Sequence, residues 1–234
     1  GFAGKNAYGI LMHGQSEHMG ELAQMFKGAL LRPDIPQKYL KHDVQLTLRA
    51  LENQKEDPVK KCFQEAGKLF SDKHPYAFNI LGTKENVKQF TQKQLLKTHH
   101  DNLKKQKILL TYCGDLPAED ILEHLKDLFE VLPARKVSKL KFKSIKPIVG
   151  QDKFYPFNRE QTQIFYGVPT GKMGTMENIY LKMLTTHLSG QSSELFVEVR
   201  DRQGLCYSAQ PVHFAALEGG YFGIYMASGH DKVP

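Results

Sequence analysis

The sequence predicts an α+β protein made of two related α/β units, each with helices packed on an antiparallel-rich sheet. Three observations lead to this class. Residues 1–132 place apolar side chains mainly at helical spacing. The last third of the chain contains short alternating segments, typical of strands, that are joined by glycine turns. A short echo, Tyr8–Met12 against Phe222–Met226, indicates two units of similar design, the second truncated after its hairpin.

Helices are expected to dominate the first part, residues 1–135. Asp57 followed by Pro58 predicts a helix start, because proline is tolerated in a first helical turn, and Thr83 is a plausible N-cap. Short strands are expected at Asn6–Gly14 and Lys107–Cys113. The predicted helices are Met19–Leu31, Pro36–Gln54, Pro58–Phe70, Thr83–Phe90, one that begins at Thr91, and Pro117–Leu132.

The second part is predicted as a connector, residues 136–156, followed by a second α/β unit, residues 157–234. Within the connector, residues 137–146 alternate lysines with apolar residues, which favours an edge strand protected by its charges. The second unit is expected to contain strands Gln161–Val168, Val212–Ala216 and Tyr221–Ala227, a helix Met176–Leu188, and a hairpin turn at Leu217–Gly220.

Ser189–Gln210 is the most informative stretch. Its serines can cap a helix start, Leu195 and Val199 have helical spacing, and Gly204 can end the helix in the left-handed region. A strand is expected to follow. This arrangement presents Arg200 near the helix end and Tyr207 after the turn, as donors suited to an oxygen-rich ligand. The alternative is a solvated helix-end cation and a half-buried strand aromatic.

Composition narrows the functional classes without selecting one. The sequence has no apolar run long enough to span a membrane and no signal peptide, and it opens with Gly-Phe-Ala-Gly, as if cut from a longer protein. Three cysteines, Cys62, Cys113 and Cys206, cannot all pair and are expected to be buried free thiols. The net charge of +7 comes from scattered lysines without a nucleic-acid motif. The compartment stays open, periplasm or cytoplasm if the source is bacterial.

The Ser192–Phe196 segment, Arg200, and Gly204 to Ser208 resemble the C-terminal segment of pitrilysin/insulinase-family zinc peptidases and mitochondrial processing peptidases. His74-Pro75-Tyr76 and Leu81-Gly82-Thr83 follow the same family's order, so the resemblance covers nearly the whole chain. Cys206 departs from it mildly, because the family has a small apolar residue there. The resemblance implies the family's paired α/β units and a substrate role for Arg200 and Tyr207.

The family's zinc is held by an inverted His-x-x-Glu-His helix and a distant Glu, and this motif is absent from the sequence. His13 and His18 are one residue too far apart, and the other histidines are isolated or adjacent. The resemblance places the third ligand at Ala50, which cannot bind zinc, although a small shift in alignment would bring Asp43 or Glu52 there. We therefore expect no metal site in this chain and zinc in a partner half.

These expectations define one principal hypothesis and two alternatives. The chain is expected to be the non-catalytic half of a zinc metalloendopeptidase, with a catalytic half, fused or separate, or a homologous subunit as partner. A peptide is the expected substrate, Arg200 its holder and Tyr207 an oxyanion donor in trans. The first alternative is a structural core subunit of the same fold, without enzymatic activity. The second is a domain that binds anions or nucleic acid, although no nucleic-acid partner is expected.

Overall fold

The computed structural model describes residues 1–132, 145–148, 150 and 152–233. Its helices and strands confirm the predicted α+β class, with helices and an antiparallel sheet. None of the helices in these residues is long and apolar enough to cross a membrane. The helices are α1 (Met19–Leu31), α2 (Gln37–Glu56), α3 (Pro58–Ser71), α4 (Lys84–Lys88), α5 (Gln92–Lys105), α6 (Ala118–Val131) and α7 (Met176–His187), and the strands are β1 (Phe2–Ala3), β2 (Tyr8–Gly9), β3 (Gln161–Thr170), β4 (Ser208–Phe214) and β5 (Gly220–Gly229).

The chain folds into two compact units. One contains Gly1–Leu48 and Thr83–Lys141, and the other contains Arg49–Gly82 and Phe142–Pro234. Residues 49–82 therefore pack with the second unit although they precede much of the first along the chain. The predicted division into residues 1–135, a connector 136–156 and residues 157–234 describes two related units along the sequence, and it stays a prediction. Most of the segment 137–146, predicted as an edge strand, lies outside the described residues.

The first unit has its core between α1 and α6. Ala23 of α1 packs with Ile121 and Leu125 of α6, and all three side chains are buried. Beside them the Lys27 ammonium, almost fully buried, lies 3.0 Å from the Asp127 carboxylate. The apolar stripe predicted for Pro117–Leu132 thus forms the contact face of α6.

In the second unit, the described strands pair antiparallel in the order β3-β5-β4. The register places Gln163 opposite Ala227, and Ala227 opposite Ser208. Each ladder continues without interruption, so β5 fixes the positions of the strands on either side. The strands predicted at Gln161–Val168 and Tyr221–Ala227 are confirmed within the longer β3 and β5, and the hairpin connection is confirmed. The strand predicted at Val212–Ala216 is displaced, because β4 runs from Ser208 to Phe214.

An aromatic cluster joins α3 to one face of this sheet. Phe63 lies with its ring centroid 5.1 Å from that of Tyr225, and Phe70 stacks on Tyr221 at 4.9 Å. Phe165 of β3 lies edge-on to both α3 rings, at 5.8 and 6.0 Å. Such ring pairs add to the energy of apolar burial. The stripe predicted on the third helix therefore packs α3 against the sheet.

Two predicted strands are wrong or too long. Asn6–Gly14 forms only the two-residue β2, which pairs with β1, and Lys107–Cys113 forms no strand among the described residues. An isolated strand cannot satisfy its backbone hydrogen bonds and is stable only beside a partner. Leu109 of this segment is 79% exposed, so it has the apolar character of a strand residue without the neighbour that would bury it.

The cysteines are free, as predicted, but they are not all buried. Cys206 is buried and Cys62 partly so, whereas Cys113 is exposed in the irregular segment that follows α5. Burial raises the pKa of the Cys62 thiol to about 11. A thiol with so high a pKa is a poor nucleophile at neutral pH, in agreement with the interpretation that Cys62 is not catalytic.

Candidate functional site

The segment around Gly204 begins with a capped helix. The Ser193 hydroxyl accepts a hydrogen bond from the Phe196 N–H at 3.3 Å and donates one to the Gly190 carbonyl at 2.8 Å. Ser193 is 6% exposed, so this cap is fixed within the fold. The predicted capping function of the serine-rich opening is confirmed, with Ser193 as the serine that performs it.

The helix itself is a π-helix, Leu195–Arg202, where the sequence predicts an α-helix. At its end the Gln203 N–H bonds the Glu198 carbonyl at 3.1 Å, a bond from residue i+5 to residue i. The Leu205 N–H reaches back further, to the Val199 carbonyl at 3.0 Å. This wider winding satisfies the carbonyls that a helix end leaves free. Single-turn π-helical bulges are frequent at functional sites.

Gly204 makes the turn between helix and strand, as predicted. Its φ of +59° lies in the left-handed region, which glycine adopts without strain. Two side chains near the C-terminal end of the second unit donate hydrogen bonds to backbone carbonyls of this turn. Lys232 donates from its ammonium to the Gly204 carbonyl, and the buried Ser228 hydroxyl donates to the Leu205 carbonyl. The start of β4 is therefore fixed by β5 and the residues after it.

Arg200 and Tyr207 both lie at this turn and are both exposed to solvent. Tyr207 is 63% exposed, and its backbone N–H bonds the Ala227 carbonyl at 2.8 Å. The Arg200 guanidinium carbon lies 4.5 Å from the centroid of the Phe196 ring. In the described part of the chain, no side chain forms a hydrogen bond with the Tyr207 hydroxyl or an ion pair with Arg200. Their donors remain available to a ligand, and their roles stay predictions.

The two arginines near the end of the π-helix, Arg200 and Arg202, differ in their charged partners. Arg202 forms an ion pair with Glu198, at 2.5 Å, four residues before it. Arg200 instead lies near the Cys206 thiol. Burial raises the pKa of Cys206, while the positive charges of Arg200 and Lys232 act to lower it. The positive charge of Arg200 is therefore not neutralised by a carboxylate of the described residues.

The donor set of the described residues does not fit a zinc ion. It includes no group of three or more His, Cys, Asp or Glu side chains placed to hold a metal. Ala50 lies exposed on α2, and Asp43 and Glu52 lie on the same helix without completing such a group. His18 lies beside Glu21 in the first unit, not at a metal cluster.

Sequence reasoning missed three residues that position this segment. Phe196 precedes Arg200 by four residues, a spacing at which helical side chains meet, so a local pattern would have identified it. Ser228 and Lys232 bond to residues 23 and 28 positions earlier. No local sequence signal links residues so far apart, and the contact depends on how β5 returns to the turn.

Solved structures share the fold of this chain, and several of them are named as proteases or peptidase domains. A protease from Helicobacter pylori aligns with 92% of this chain and 53% of its own, with a TM-score of 0.76 and 15% identity. The peptidase M16 inactive domain from Pseudomonas fluorescens aligns with 92% of this chain and 52% of its own, with a TM-score of 0.72 and 20% identity. Pitrilysin aligns with 93% of this chain and 24% of its own, at a TM-score of 0.57 and 13% identity.

Sequence comparison then gives the family. The family model described as the peptidase M16 inactive domain matches residues 89–234, more than half of the chain. The chain belongs to this family, which confirms the resemblance to pitrilysin-type zinc peptidases. A protein of Rickettsia bellii named "uncharacterized zinc protease" is 24% identical over 82% of this chain and 46% of its own length. A similarly named Mycobacterium leprae protein is 28% identical over 80% of this chain and 43% of its own. The chain thus spans about half the length of these relatives.

Proposed function

We propose that this chain is the non-catalytic half of a zinc metalloendopeptidase, which lines the substrate chamber and orients the peptide for cleavage by the other half. The observation that carries the proposal is the pair Arg200 and Tyr207, exposed at one clamped turn with donors that no described residue uses. A peptide in an extended conformation offers carbonyl oxygens that need such donors.

The two side chains divide the work by their chemistry. Arg200 offers a planar fork of N–H donors that binds a substrate carbonyl or a neighbouring carboxylate. Tyr207 donates a hydrogen bond from its hydroxyl to the oxygen of the scissile carbonyl, where negative charge develops as water attacks. A zinc ion held by the partner half would supply the activated water and the Lewis acid.

Rigid positioning makes these donors useful for catalysis. Donors that are already aimed at the developing charge need no reorganisation during the reaction. Ser193 caps the helix before the turn, and Ser228 and Lys232 hold the turn itself. The backbone N–H of Tyr207 is bonded to β5. The phenol is therefore carried by a fixed backbone, although its ring is exposed.

Replacement of the phenol hydroxyl tests the proposal. In the peptidase assembled from both halves, Tyr207→Phe is expected to lower turnover by about ten- to a thousandfold, as loss of one oxyanion donor does. The measurement is steady-state cleavage of an internally quenched peptide. Tyr166→Phe is the matched control, since Tyr166 is 75% exposed on β3 of the same sheet, and it should cleave at the wild-type rate. Unchanged cleavage by Tyr207→Phe would remove the catalytic assignment.

A structural core subunit of the same fold remains the second candidate, because α7 exposes an apolar surface. Met176, Ile179, Tyr180 and Met183 are each at least half exposed, and contiguous apolar surface of this kind marks contact sites for proteins. The two candidates make opposite predictions for Tyr207→Phe. If the chain is a structural subunit, Tyr207→Phe should assemble normally and change no catalytic rate. If it is the peptidase half, the variant should assemble normally and turn over peptide more slowly.

A further inference from the structure

The π-helix carries two exposed arginines, Arg200 and Arg202, and their side chains have different partners. The partner of Arg200 is the ring of Phe196. The Arg202 guanidinium forms an ion pair with the Glu198 carboxylate at 2.5 Å. Arg200 lies with its guanidinium carbon 4.5 Å from the centre of the Phe196 ring. Among the described residues, Glu198 is the acidic side chain that forms an ion pair within this helix, and its partner is Arg202 rather than Arg200.

An aromatic ring and a carboxylate hold a guanidinium in different ways. A carboxylate occupies the N–H donors at the edge of the fork. A ring attracts the cation through its π face and forms no hydrogen bond with those donors. The contact with Phe196 therefore restricts where the Arg200 group can lie while leaving its N–H donors available. A bound peptide then meets a guanidinium whose freedom is already reduced.

Phe196 is itself well anchored. It is partly buried, and its backbone N–H is bonded to the Ser193 hydroxyl at 3.3 Å. Ser193 in turn bonds the Gly190 carbonyl at 2.8 Å. The ring beneath Arg200 is thus attached to the capped start of the helix, where the backbone is fixed by a buried serine.

From this arrangement we propose that Phe196 is a positioning residue that holds the Arg200 guanidinium by a cation–π contact, ready to bind an oxygen of the peptide substrate. The inference rests on the proposed function of Arg200 and adds the group that orients it. It predicts that the electron density of the ring, and not only its size, controls how tightly the substrate is held.

Fluorinated phenylalanines at position 196 test this directly in the assembled peptidase. Successive fluorines weaken the negative face of the ring and change its size little, so KM for an internally quenched peptide should rise stepwise, by about 2- to 30-fold in total. The kcat should change much less, because Arg200 binds ground state and transition state alike. Phe196→Trp, whose indole is the stronger cation–π partner, should keep or lower the wild-type KM, and Phe196→Leu should raise it. Arg202→Gln, which removes the Glu198 pair, is the control that should leave KM unchanged.

The outcomes separate this inference from the proposed function. If Arg200→Ala raises KM but the fluorinated series does not, the assignment of Phe196 is wrong and the function of Arg200 stands. If Arg200→Ala cleaves with the wild-type KM, the proposed role of Arg200 falls and the inference falls with it. A measurement without substrate checks the contact itself. The ring current of Phe196 should shift the Arg200 side-chain proton resonances upfield, and the shift should vanish in Phe196→Leu; its absence from the unmodified protein would refute the contact.

Discussion

Glu65 offers a sharp test of how the charges within α3 stabilise that helix. Its side chain is 9% exposed and accepts hydrogen bonds from two ammonium groups, Lys61 and Lys68, each at 2.8 Å. Burial alone would raise the pKa of Glu65, but the hydrogen bonds and charges of the two lysines outweigh it and lower that pKa. Burial also raises the pKa of the neighbouring Tyr155 hydroxyl, with the Glu65 charge adding to the effect.

The magnitude follows from the solvent exposure of the partners. A hydrogen bond to a charged group stabilises a protein by about 1.5–3 kcal/mol, but Lys61 is 36% and Lys68 48% exposed, and exposed ion pairs give about 0.2–1 kcal/mol. Glu65→Gln, which keeps the shape and removes the charge, should therefore cost about 1–2 kcal/mol. In a chain of this size that lowers the melting temperature by about 2–8 °C.

The pH dependence tests the origin of this effect. Because the folded pKa of Glu65 lies below the ordinary pKa of a glutamate, its charge stabilises the fold above the unfolded pKa, and the contribution is lost as pH falls through the folded pKa. Thermal unfolding of wild type and Glu65→Gln, followed by circular dichroism, should differ fully at pH 7 and converge in acid below the folded pKa. A difference that stays constant with pH would show that packing, not charge, explains the cost, and would refute the reasoning.

Two further changes test the first unit and the glycine turn. Asp127→Ala leaves the buried Lys27 ammonium without the carboxylate 3.0 Å away and should lower the free energy of unfolding more than Lys27→Met, which removes the charge and keeps the apolar stem; urea unfolding that gave equal costs would contradict the asymmetry. Gly204→Ala should cost about 1–2 kcal/mol from backbone strain alone, since φ is +59° and, apart from the two adjacent residues, no atom in the described part of the chain lies within 4 Å of the added Cβ. Gly204→Asn should cost less in the same measurement, because asparagine tolerates this conformation better.

Features whose cause lies within a few residues were predictable from the sequence. The Asp57 carboxylate caps α3 by accepting from the Lys60 N–H at 3.0 Å, and Thr91 with Gln94 forms a reciprocal capping box at the start of α5. Gly204 ends the π-helix in the left-handed region. In the first two cases a nearby side chain accepts a hydrogen bond from a backbone N–H that the helix start leaves free. In the third, glycine adopts a backbone conformation that other residues avoid.

Features that depend on a distant partner were not predictable. Lys107–Cys113 has the residue pattern of a strand, but a strand forms only where another chain segment pairs with it. The π-helical winding of Leu195–Arg202 was missed for a related reason: its last bonds are made around a turn that Ser228 and Lys232 hold from the end of the second unit. Packing of residues 49–82 with the sheet likewise reflects contacts far apart in sequence.

The difference between local and distant causes also applies to the proposed site at Arg200 and Tyr207. Local sequence specifies which donors are present, here a guanidinium and a phenol separated by a glycine turn. Distant contacts determine whether those donors are fixed, because the carbonyls of Gly204 and Leu205 are bonded by side chains that enter the structure only when β5 is in place. A chamber wall that merely excluded water would need neither the exposed donors nor the clamp. Donors carried on a fixed backbone, beside a positive charge that no carboxylate of the described residues neutralises, are what the proposed stabilisation of a developing oxyanion would use, and this arrangement is the reason for proposing substrate orientation rather than a passive structural role.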